Sequence, residues 1–140
     1  MIEYKHSING ITENALQGFF IGWPNPPTPR TLLSILTNAY RVVVAVDSTN
    51  GNVVGFTYAI SDGILAAYIP LLEVLPAYQG KGIGKELVRQ LTESLGELYM
   101  IDVVCDEDIV PFYASLDFHR AVGMMKRNYH RQQGGEYDTR

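Results

Sequence analysis

Cysteine is almost absent from this sequence of 140 residues, as are long apolar runs and any surplus of basic charge. The single cysteine, Cys105, cannot form a disulfide within the chain, which favours a reducing compartment. The N-terminus has neither the basic start nor the apolar run of a signal peptide. No apolar run reaches the roughly 18 residues of a membrane helix. These absences predict a cytoplasmic protein with no membrane partner.

The charge pattern also excludes classes of partner. The net charge is −4, and the lysines and arginines are dispersed along the chain. Nucleic-acid binding normally needs a basic face, so no nucleic-acid partner is predicted. His6, His119 and His130 lack the spacing of metal ligands, so no metal site is predicted. A small anionic ligand stays open, because a few backbone N–H groups can hold one phosphate group whatever the net charge.

Length and composition predict one domain. A chain of 140 residues with 46% hydrophobic residues can bury a single core. No repeat or linker interrupts it. We predict a single domain over residues 1–130, followed by a polar C-terminal tail over residues 131–140.

Helical spacing of apolar residues predicts helices over 12–20, 83–95 and 109–116, with Asp106 or Asp108 capping the last. Thr28 followed by Pro29 predicts the start of a further helix. Pro70 lacks an N–H, so the well-formed part of strand 64–74 is expected to begin only at Leu71. The predicted strands are 2–6, 40–46, 53–60, 64–74, 98–105 and a final hairpin of 118–121 with 124–129.

This order predicts an α+β fold, an α/β/α sandwich on a mixed, mostly antiparallel twisted sheet of six to seven strands with about four helices.

A glycine-rich turn between a strand and a helix is the most informative stretch. It carries Gly80, Gly82 and Gly84 directly before the helix. Glycines let the backbone approach a ligand, and the free N–H groups of a helix start suit a pyrophosphate. Lys81 and Lys85 add positive charge. The spacing matches neither the dinucleotide fingerprint nor the P-loop, and a purely structural turn is the alternative.

Two motifs resemble those of the GNAT superfamily of N-acyltransferases. Gln79-x-x-Gly82-x-Gly84, after an apolar strand and Pro76, resembles its acyl-CoA signature, and the segment 111–118 resembles its "FY-x-x-x-G-F" segment. The close resemblance covers residues 65 to about 121, and the first 60 residues match in pattern alone. It implies the GNAT fold, acetyl-CoA as co-substrate, and transfer of the acetyl group to a primary amine by direct attack on the thioester.

The resemblance also implies a set of cofactor-binding residues, with an oxyanion donor on the backbone N–H of Val74 or Leu75. Asp106 stands where the superfamily often has Asn, and Asp117 stands where it usually has Gly; Asp tolerates left-handed backbone better than most residues. The implied cofactor-binding residues are Leu72, Val74, Leu75, Gln79, Gly80, Lys81, Gly82, Ile83, Gly84, Lys85, Asp106 and Phe112.

Tyr113 and Glu73 are the predicted catalytic residues. The resemblance assigns Tyr113 as general acid for the departing thiolate, and a phenol of pKa about 10 is matched to a thiol of about 8.5. The alternative is an aromatic residue that only packs beside Phe112. Glu73 is a carboxylate in an apolar strand, pointing opposite to its neighbours. It would accept the proton of the amine, directly or through water, or bind a cationic acceptor; a solvated or salt-bridged side chain is the alternative.

The acceptor side is less defined by the sequence. Trp23, in a proline-rich loop, resembles by position the segment that walls the acceptor site, although core filling explains it equally well. Asp62, together with Glu73 and Asp106, slightly favours a cationic small molecule, while small-molecule and peptide amines in general stay open as acceptors. Cys105 is interpreted as a small buried hydrophobe.

Three functions are compatible with these motifs. The leading one is the acetyltransferase. A catalytically silent acyl-CoA-binding or sensing module is the alternative, and an aminoacyl-tRNA-modifying toxin of the same fold is disfavoured by the acidic balance. Members of the superfamily often dimerise, so a homodimer stays open.

Overall fold

The computed structural model describes residues 1–135, and six strands in this part of the chain form one mixed sheet. The strand order is β1-β2-β3-β4-β6, with β5 also paired to β3. Among the strand pairs of the described residues, only β4 and β6 run parallel. The strands are β1 (Ile2–Lys5), β2 (Arg41–Asp47), β3 (Asn52–Ser61), β4 (Ala66–Ile69), β5 (Leu72–Val74) and β6 (Met100–Val103).

Within residues 1–135, three α-helices accompany the sheet: α1 (Pro29–Thr37), α2 (Ile83–Ser94) and α3 (Val110–Ala114). Short 3₁₀ turns lie at Glu13–Leu16, Pro76–Tyr78, Glu107–Ile109 and Tyr129–Arg131. The Thr28 hydroxyl caps α1 by accepting the Thr31 N–H at 3.1 Å, as the sequence predicts. The mixed α/β architecture is confirmed, with three helices within residues 1–135 where about four were expected.

Both faces of the sheet are covered, which explains the unbroken apolar run of β2. Val42 and Val44 pack in a cluster on one face with Leu36 of α1. Val43 packs in a second cluster on the other face with Leu87 of α2. A strand alternates its side chains between faces, so a strand buried on both sides is apolar throughout. The expected α/β/α layering follows from these two clusters.

Pro70 divides the predicted strand 64–74 into β4 and β5. β4 pairs with β3 and β6, whereas β5 pairs with β3 alone. Proline has no N–H for a ladder, and the Leu71 carbonyl instead accepts the Thr57 hydroxyl at 2.9 Å. The prediction that the formed part starts only at Leu71 is therefore wrong, because strands flank the break on both sides. The sheet opens between β5 and the end of β6.

The predicted helix 12–20 is wrong beyond the 3₁₀ turn at Glu13–Leu16. Gly18, Phe20 and Gly22 all have positive φ, which a right-handed helix cannot contain. The predicted strand 98–105 and helix 109–116 are shorter, as β6 and α3. No side-chain hydrogen bond of Asp106 or Asp108 caps α3, whose N-cap position is Ile109.

The predicted final hairpin is also wrong. Residues 118–128 belong to no strand, and residues 119–128 are all exposed. Of the predicted tail 131–140, residues 131–135 are described, and the Gln132 side chain accepts the Asn25 N–H at 2.9 Å. Residues 136–140 lie outside the described part of the chain.

Candidate active site

The opening of the sheet leads into a cavity of about 920 Å³. One wall is the segment that crosses from β4 to β5, and the opposite wall is the end of β6 with the residues after it. The glycine-rich turn and α3 close two further sides. The predicted site residues on this cavity are Trp23, Leu72, Val74, Gln79, Gly80, Gly82, Ile83, Gly84, Lys85, Asp106, Phe112 and Tyr113.

The glycine-rich turn forms a wall made mostly of backbone. Gly80 and Gly82 have φ of 76° and 82°, a conformation that side chains rarely adopt. A Cβ at either position would meet no protein atom within 4 Å, so these glycines serve the backbone path and leave space beside it. The Gln79 side-chain amide donates to the Val74 carbonyl at 2.9 Å and ties the turn to the end of β5.

The start of α2 presents donors to the cavity. The first helical bond runs from the Glu86 N–H to the Gly82 carbonyl, so the three preceding amides have no acceptor inside the helix. Gly82 has no side chain to cap them. The helix dipole makes this end positive, and Lys85 lies on the same wall. These residues fit the pyrophosphate of coenzyme A. Lys81 instead lies over the Tyr78 ring at 5.5 Å and is not on the cavity wall.

The end of β5 has one amide that faces the opening. Leu75 N–H donates to the Val54 carbonyl at 2.8 Å, so it is already paired. Adjacent residues of an antiparallel strand direct their N–H groups to opposite sides, so the Val74 N–H points away from β3. Of the two predicted oxyanion donors, Leu75 is therefore excluded and Val74 keeps the required orientation.

Tyr113 lies on the cavity wall with only 6% of its surface exposed. The rings of Phe112 and Phe118 contact it edge-on, with centroids 5.0 and 5.4 Å away. Burial, with a smaller contribution from Cys105, raises the pKa of Tyr113 to about 12. Its hydroxyl has no hydrogen bond to any residue from 1 to 135, and it is not sealed from solvent. The phenol is thus protonated at neutral pH and accessible from the cavity.

The unusual Asp117 does not disturb this arrangement. Its φ of 69° places it in the left-handed region, where glycine usually ends a helix. The following Phe118 donates its N–H to the Tyr113 carbonyl at 3.1 Å. Asp117 therefore takes the backbone conformation of the usual glycine and returns Phe118 onto Tyr113.

Glu73 is held by the backbone of a distant loop. Both of its carboxylate oxygens accept the Phe20 N–H at 2.9 Å, and one accepts the Ile21 N–H at 3.5 Å. Phe20 has a φ of 65°, which is rare for a bulky residue, and its ring packs 4.8 Å from that of Trp23. Glu73 is not on the cavity wall, but its contacts hold the loop that brings Trp23 there. The sequence offered no signal for this contact.

Asp62 has a local structural role. Its Oδ1 accepts the N–H groups of Ile64, Leu65 and Ala66 at 2.8, 2.8 and 3.2 Å, which closes the turn between β3 and β4. These backbone hydrogen bonds lower the pKa of the Asp62 carboxyl. Asp62 does not line the cavity, so the prediction of a substrate contact receives no support from its position.

Eleven residues on the cavity wall were not predicted as site residues, and two of them come from the segment after α3. Met125 and Arg127 lie on the wall, within the stretch for which a hairpin strand was expected. Nothing in their spacing signals a cavity. With them, the charged side chains on the wall are Lys85, Asp106 and Arg127.

The described part of the chain also bears on two expectations about partners. Within residues 1–135, no group of three or more His, Cys, Asp or Glu side chains is arranged to hold a metal ion. In the same range, no helix is both long and apolar enough to cross a membrane.

Sequence comparison finds the same family that the motifs resemble. A family model described as an acetyltransferase (GNAT) domain matches residues 38–120. GCN5-related N-acetyltransferase 3, chloroplastic, of Arabidopsis thaliana is 38% identical over 61% of this chain and 37% of its own length. Histone acetyltransferase TAP1 of Glycine max is 33% identical over 70% of this chain. The chain spans less than half the length of both relatives, 37% and 47%.

Solved structures agree along nearly the whole chain. A crystal structure from Deinococcus radiodurans R1, described as a candidate acetyltransferase, is 48% identical with a TM-score of 0.94, covering 97% of this chain and 94% of that one. A GNAT family acetyltransferase from Streptococcus pneumoniae TIGR4 is 26% identical with a TM-score of 0.68, covering 91% and 98%.

Proposed function

Because this chain belongs to the GNAT acetyltransferase family, we propose that it transfers an acetyl group from acetyl-CoA to a primary amine by direct attack on the thioester. One observation carries the proposal: a single cavity connects the donor-rich start of α2, the opening of the sheet and the Tyr113 hydroxyl. The proposed anion-binding end and the proton donor thereby share one cavity.

The chain's own groups would hold the cofactor at two places. The free amides at the start of α2, with Lys85, would bind the pyrophosphate. The Val74 N–H, directed into the opening, would donate to the thioester carbonyl oxygen as negative charge develops there. When bound, acetyl-CoA supplies the activated acetyl group.

Two side chains would move protons. Tyr113 would give its proton to the sulfur that leaves, and its high pKa keeps that proton in place at neutral pH. Glu73 would accept the proton of the attacking amine through water, because its carboxylate accepts the Phe20 N–H and does not line the cavity. The same carboxylate would keep its bonds to Phe20 and so hold the acceptor side in place.

The acceptor would be a small-molecule or peptide amine that reaches the cavity beside Trp23. Glu73 and Asp62 accept backbone N–H groups, so only Asp106 among the three predicted acids faces the cavity. The earlier preference for a cationic acceptor therefore rests on Asp106 alone. The cytoplasmic location stays a prediction from composition.

A screen for released thiol tests the function. The chain would be incubated with acetyl-CoA and a panel of polyamines, amino sugars, amino acids, peptide N-termini and lysine peptides, beside reactions lacking protein. We expect amine-dependent thiol release with at least one class. Saturable acetyl-CoA binding without release for any amine would instead support the silent binding module. Absence of binding would contradict both.

A further inference from the structure

The cavity wall carries one cation that the proposed mechanism does not use. Among the described residues, its charged side chains are Lys85, Asp106 and Arg127. Lys85 stands at the start of α2, where the pyrophosphate is proposed to bind. Asp106 follows β6, at a position that the family resemblance gives to the cofactor. Arg127 belongs to a different part of the chain, the segment 119–128 after α3, and has no role yet.

This segment connects the end of β6 with the loop of Trp23. Near its start, Arg120 Nη1 lies 2.9 Å from Glu107 Oε1, in the stretch that follows β6. Beyond its end, the Gln132 side-chain oxygen accepts the Asn25 N–H at 2.9 Å, two residues after Trp23. The chain between these two contacts therefore passes from one side of the cavity to the other.

Arg127 lies towards the Trp23 end of this connection. Met125 and Arg127 line the cavity, whereas Lys126 between them does not. In sequence, Arg127 is closer to Gln132, which holds the loop of Trp23, than to Arg120. Its guanidinium group is therefore on the side of the cavity proposed to receive the acceptor.

The Arg127 guanidinium is available to a ligand. None of the ion pairs formed within residues 1–135 includes Arg127. Its hydrogen bond in this part of the chain runs from Nη1 to the Lys126 carbonyl at 3.4 Å, which is longer than usual. A guanidinium group has five N–H donors in a planar fork that matches the oxygens of a carboxylate or a phosphate. Most of these donors can therefore face an anionic group in the cavity.

We propose that Arg127 selects acceptors that carry an anionic group, a carboxylate or a phosphate, beside the amine that is acetylated. The inference rests on the proposed function and narrows its substrate class. Arg127 would hold the anion near Trp23 while the amine reaches the thioester at the opening of the sheet. Because this contact would be the same before and during the reaction, its loss should raise KM and leave kcat nearly unchanged. Polyamines would be disfavoured, since they bring only positive charge to the guanidinium.

Pairs of amines that differ only in the anion give the first test. The thiol-release assay would compare L-amino acids with their carboxamides, and glucosamine 6-phosphate with glucosamine. We expect kcat/KM to be at least ~10-fold higher for the anionic member of one kind of pair. The kind of pair that shows the difference distinguishes a carboxylate from a phosphate. An equal or higher kcat/KM for the neutral member of both kinds overturns the proposal.

Substitution of Arg127 gives the second test. Arg127→Met removes the guanidinium, and we expect KM for the anionic acceptor to rise roughly 10–100-fold while KM for its neutral counterpart stays the same. Arg127→Lys keeps the charge without the planar fork and should recover part of the loss. Lys126→Met is the matched control, because Lys126 is the neighbouring exposed cation and does not line the cavity. An equal rise of KM for both amines overturns the proposal. Weaker acetyl-CoA binding by Arg127→Met, measured by calorimetry, would assign the guanidinium to the cofactor and also overturn it.

The fluorescence of Trp23, the single tryptophan of the sequence, separates this inference from the proposed function. With coenzyme A bound, which has no acetyl group to transfer, the same pairs of amines would be titrated into the parent and Arg127→Met. We expect the anionic member to change the emission at lower concentration than the neutral one, and this difference to vanish in the variant. If no amine is acetylated, the proposed function fails, but a difference lost in Arg127→Met still supports the anion site. Absence of such a difference in the parent overturns it.

Discussion

Two parts of the cavity wall are built in different ways. The wall proposed to hold the cofactor, here called the cofactor wall, comes from the single stretch 79–85, whose backbone supplies amide donors. The wall proposed to face the acceptor, here called the acceptor wall, contains Trp23, whose loop is held by the hydrogen bond from the Phe20 N–H to Glu73, 53 positions away in sequence. A wall formed by neighbouring backbone groups should keep its shape after most substitutions elsewhere in the chain. A wall held by one distant carboxylate depends on that side chain.

Changing Glu73 should have the largest effect. On the proposed mechanism, Glu73→Gln removes the proton acceptor but keeps an oxygen for the Phe20 N–H. We expect kcat to fall by roughly 10²–10⁴-fold, with acetyl-CoA affinity near that of the parent. Steady-state kinetics with the identified amine, together with calorimetry of acetyl-CoA binding, measure this.

Glu73→Ala separates the two roles of this carboxylate. It removes both the base and the anchor, leaving a partly buried N–H unpaired, so stability should fall by about 1–3 kcal/mol in addition to the loss of rate. If Glu73→Gln keeps more than half of the parent rate while Glu73→Ala is impaired, Glu73 only holds the acceptor wall.

A side chain added within the glycine-rich turn tests the cofactor wall. Gly82→Asp would add a carboxylate beside the amides proposed to hold pyrophosphate, and we expect acetyl-CoA affinity to fall at least ~10-fold. Gly51→Asp is the matched control, because Gly51 has a similar φ of 75° and equally open space in the β2–β3 hairpin, away from the cavity. Equal affinity of both folded variants, measured by calorimetry, would remove this turn from the cofactor site.

Tyr113→Phe tests the proposed general acid on the cavity wall. The substitution keeps the ring, its edge-on contacts and nearly all of its buried area, and removes only the accessible proton. We expect kcat to fall about 10-fold, at the low end for general acids because a thiolate already leaves readily. Single-turnover measurements must first show that chemistry limits the rate. Tyr99→Phe is the control, and identical chemical rates would leave Tyr113 a packing role.

The smallest expected effect is on stability, and it concerns the hydrogen bond between Tyr78 and Asp47. Tyr78 O–H donates to Asp47 at 2.6 Å, and this bond, followed by those from Thr49, lowers the pKa of Asp47 to about 2. A depressed folded-state pKa stabilises the fold above the unfolded value of about 4, and this stabilisation is lost as pH falls towards 2. Tyr78→Phe should thus be slightly destabilised at pH 7, and the difference should shrink on acidification. Urea unfolding from pH 7 to 2 measures it; a difference that is constant with pH would contradict the linkage.

The local signals in the sequence were sufficient for the cofactor wall. Gly80 and Gly82 adopt the expected turn, and the apolar spacing of α2 matches a helix that covers one face of the sheet. The N-cap of α1 by Thr28 was likewise predictable, because the donor and the acceptor are three residues apart. Each of these features depends on neighbours in the sequence.

The loop of Trp23 and the segment 119–128 could not be predicted from neighbouring residues in this way. Positive φ at Phe20 breaks the predicted helix, and a carboxylate 53 positions away supports that conformation. The predicted hairpin failed because short stretches rich in apolar residues are compatible with strands but do not show that a partner strand lies beside them. Pairing across long sequence distances is decided by tertiary contacts.

Cys105 gives the molecule a built-in reporter. It is the single cysteine of the sequence, it is partly accessible, and it lies on the cavity wall after β6. A thiol-reactive dye would therefore attach at one position only, with no engineered substitution. The labelling rate should fall when a ligand occupies the cavity. The size of this decrease with added coenzyme A or amines would therefore rank ligands before any acceptor is known.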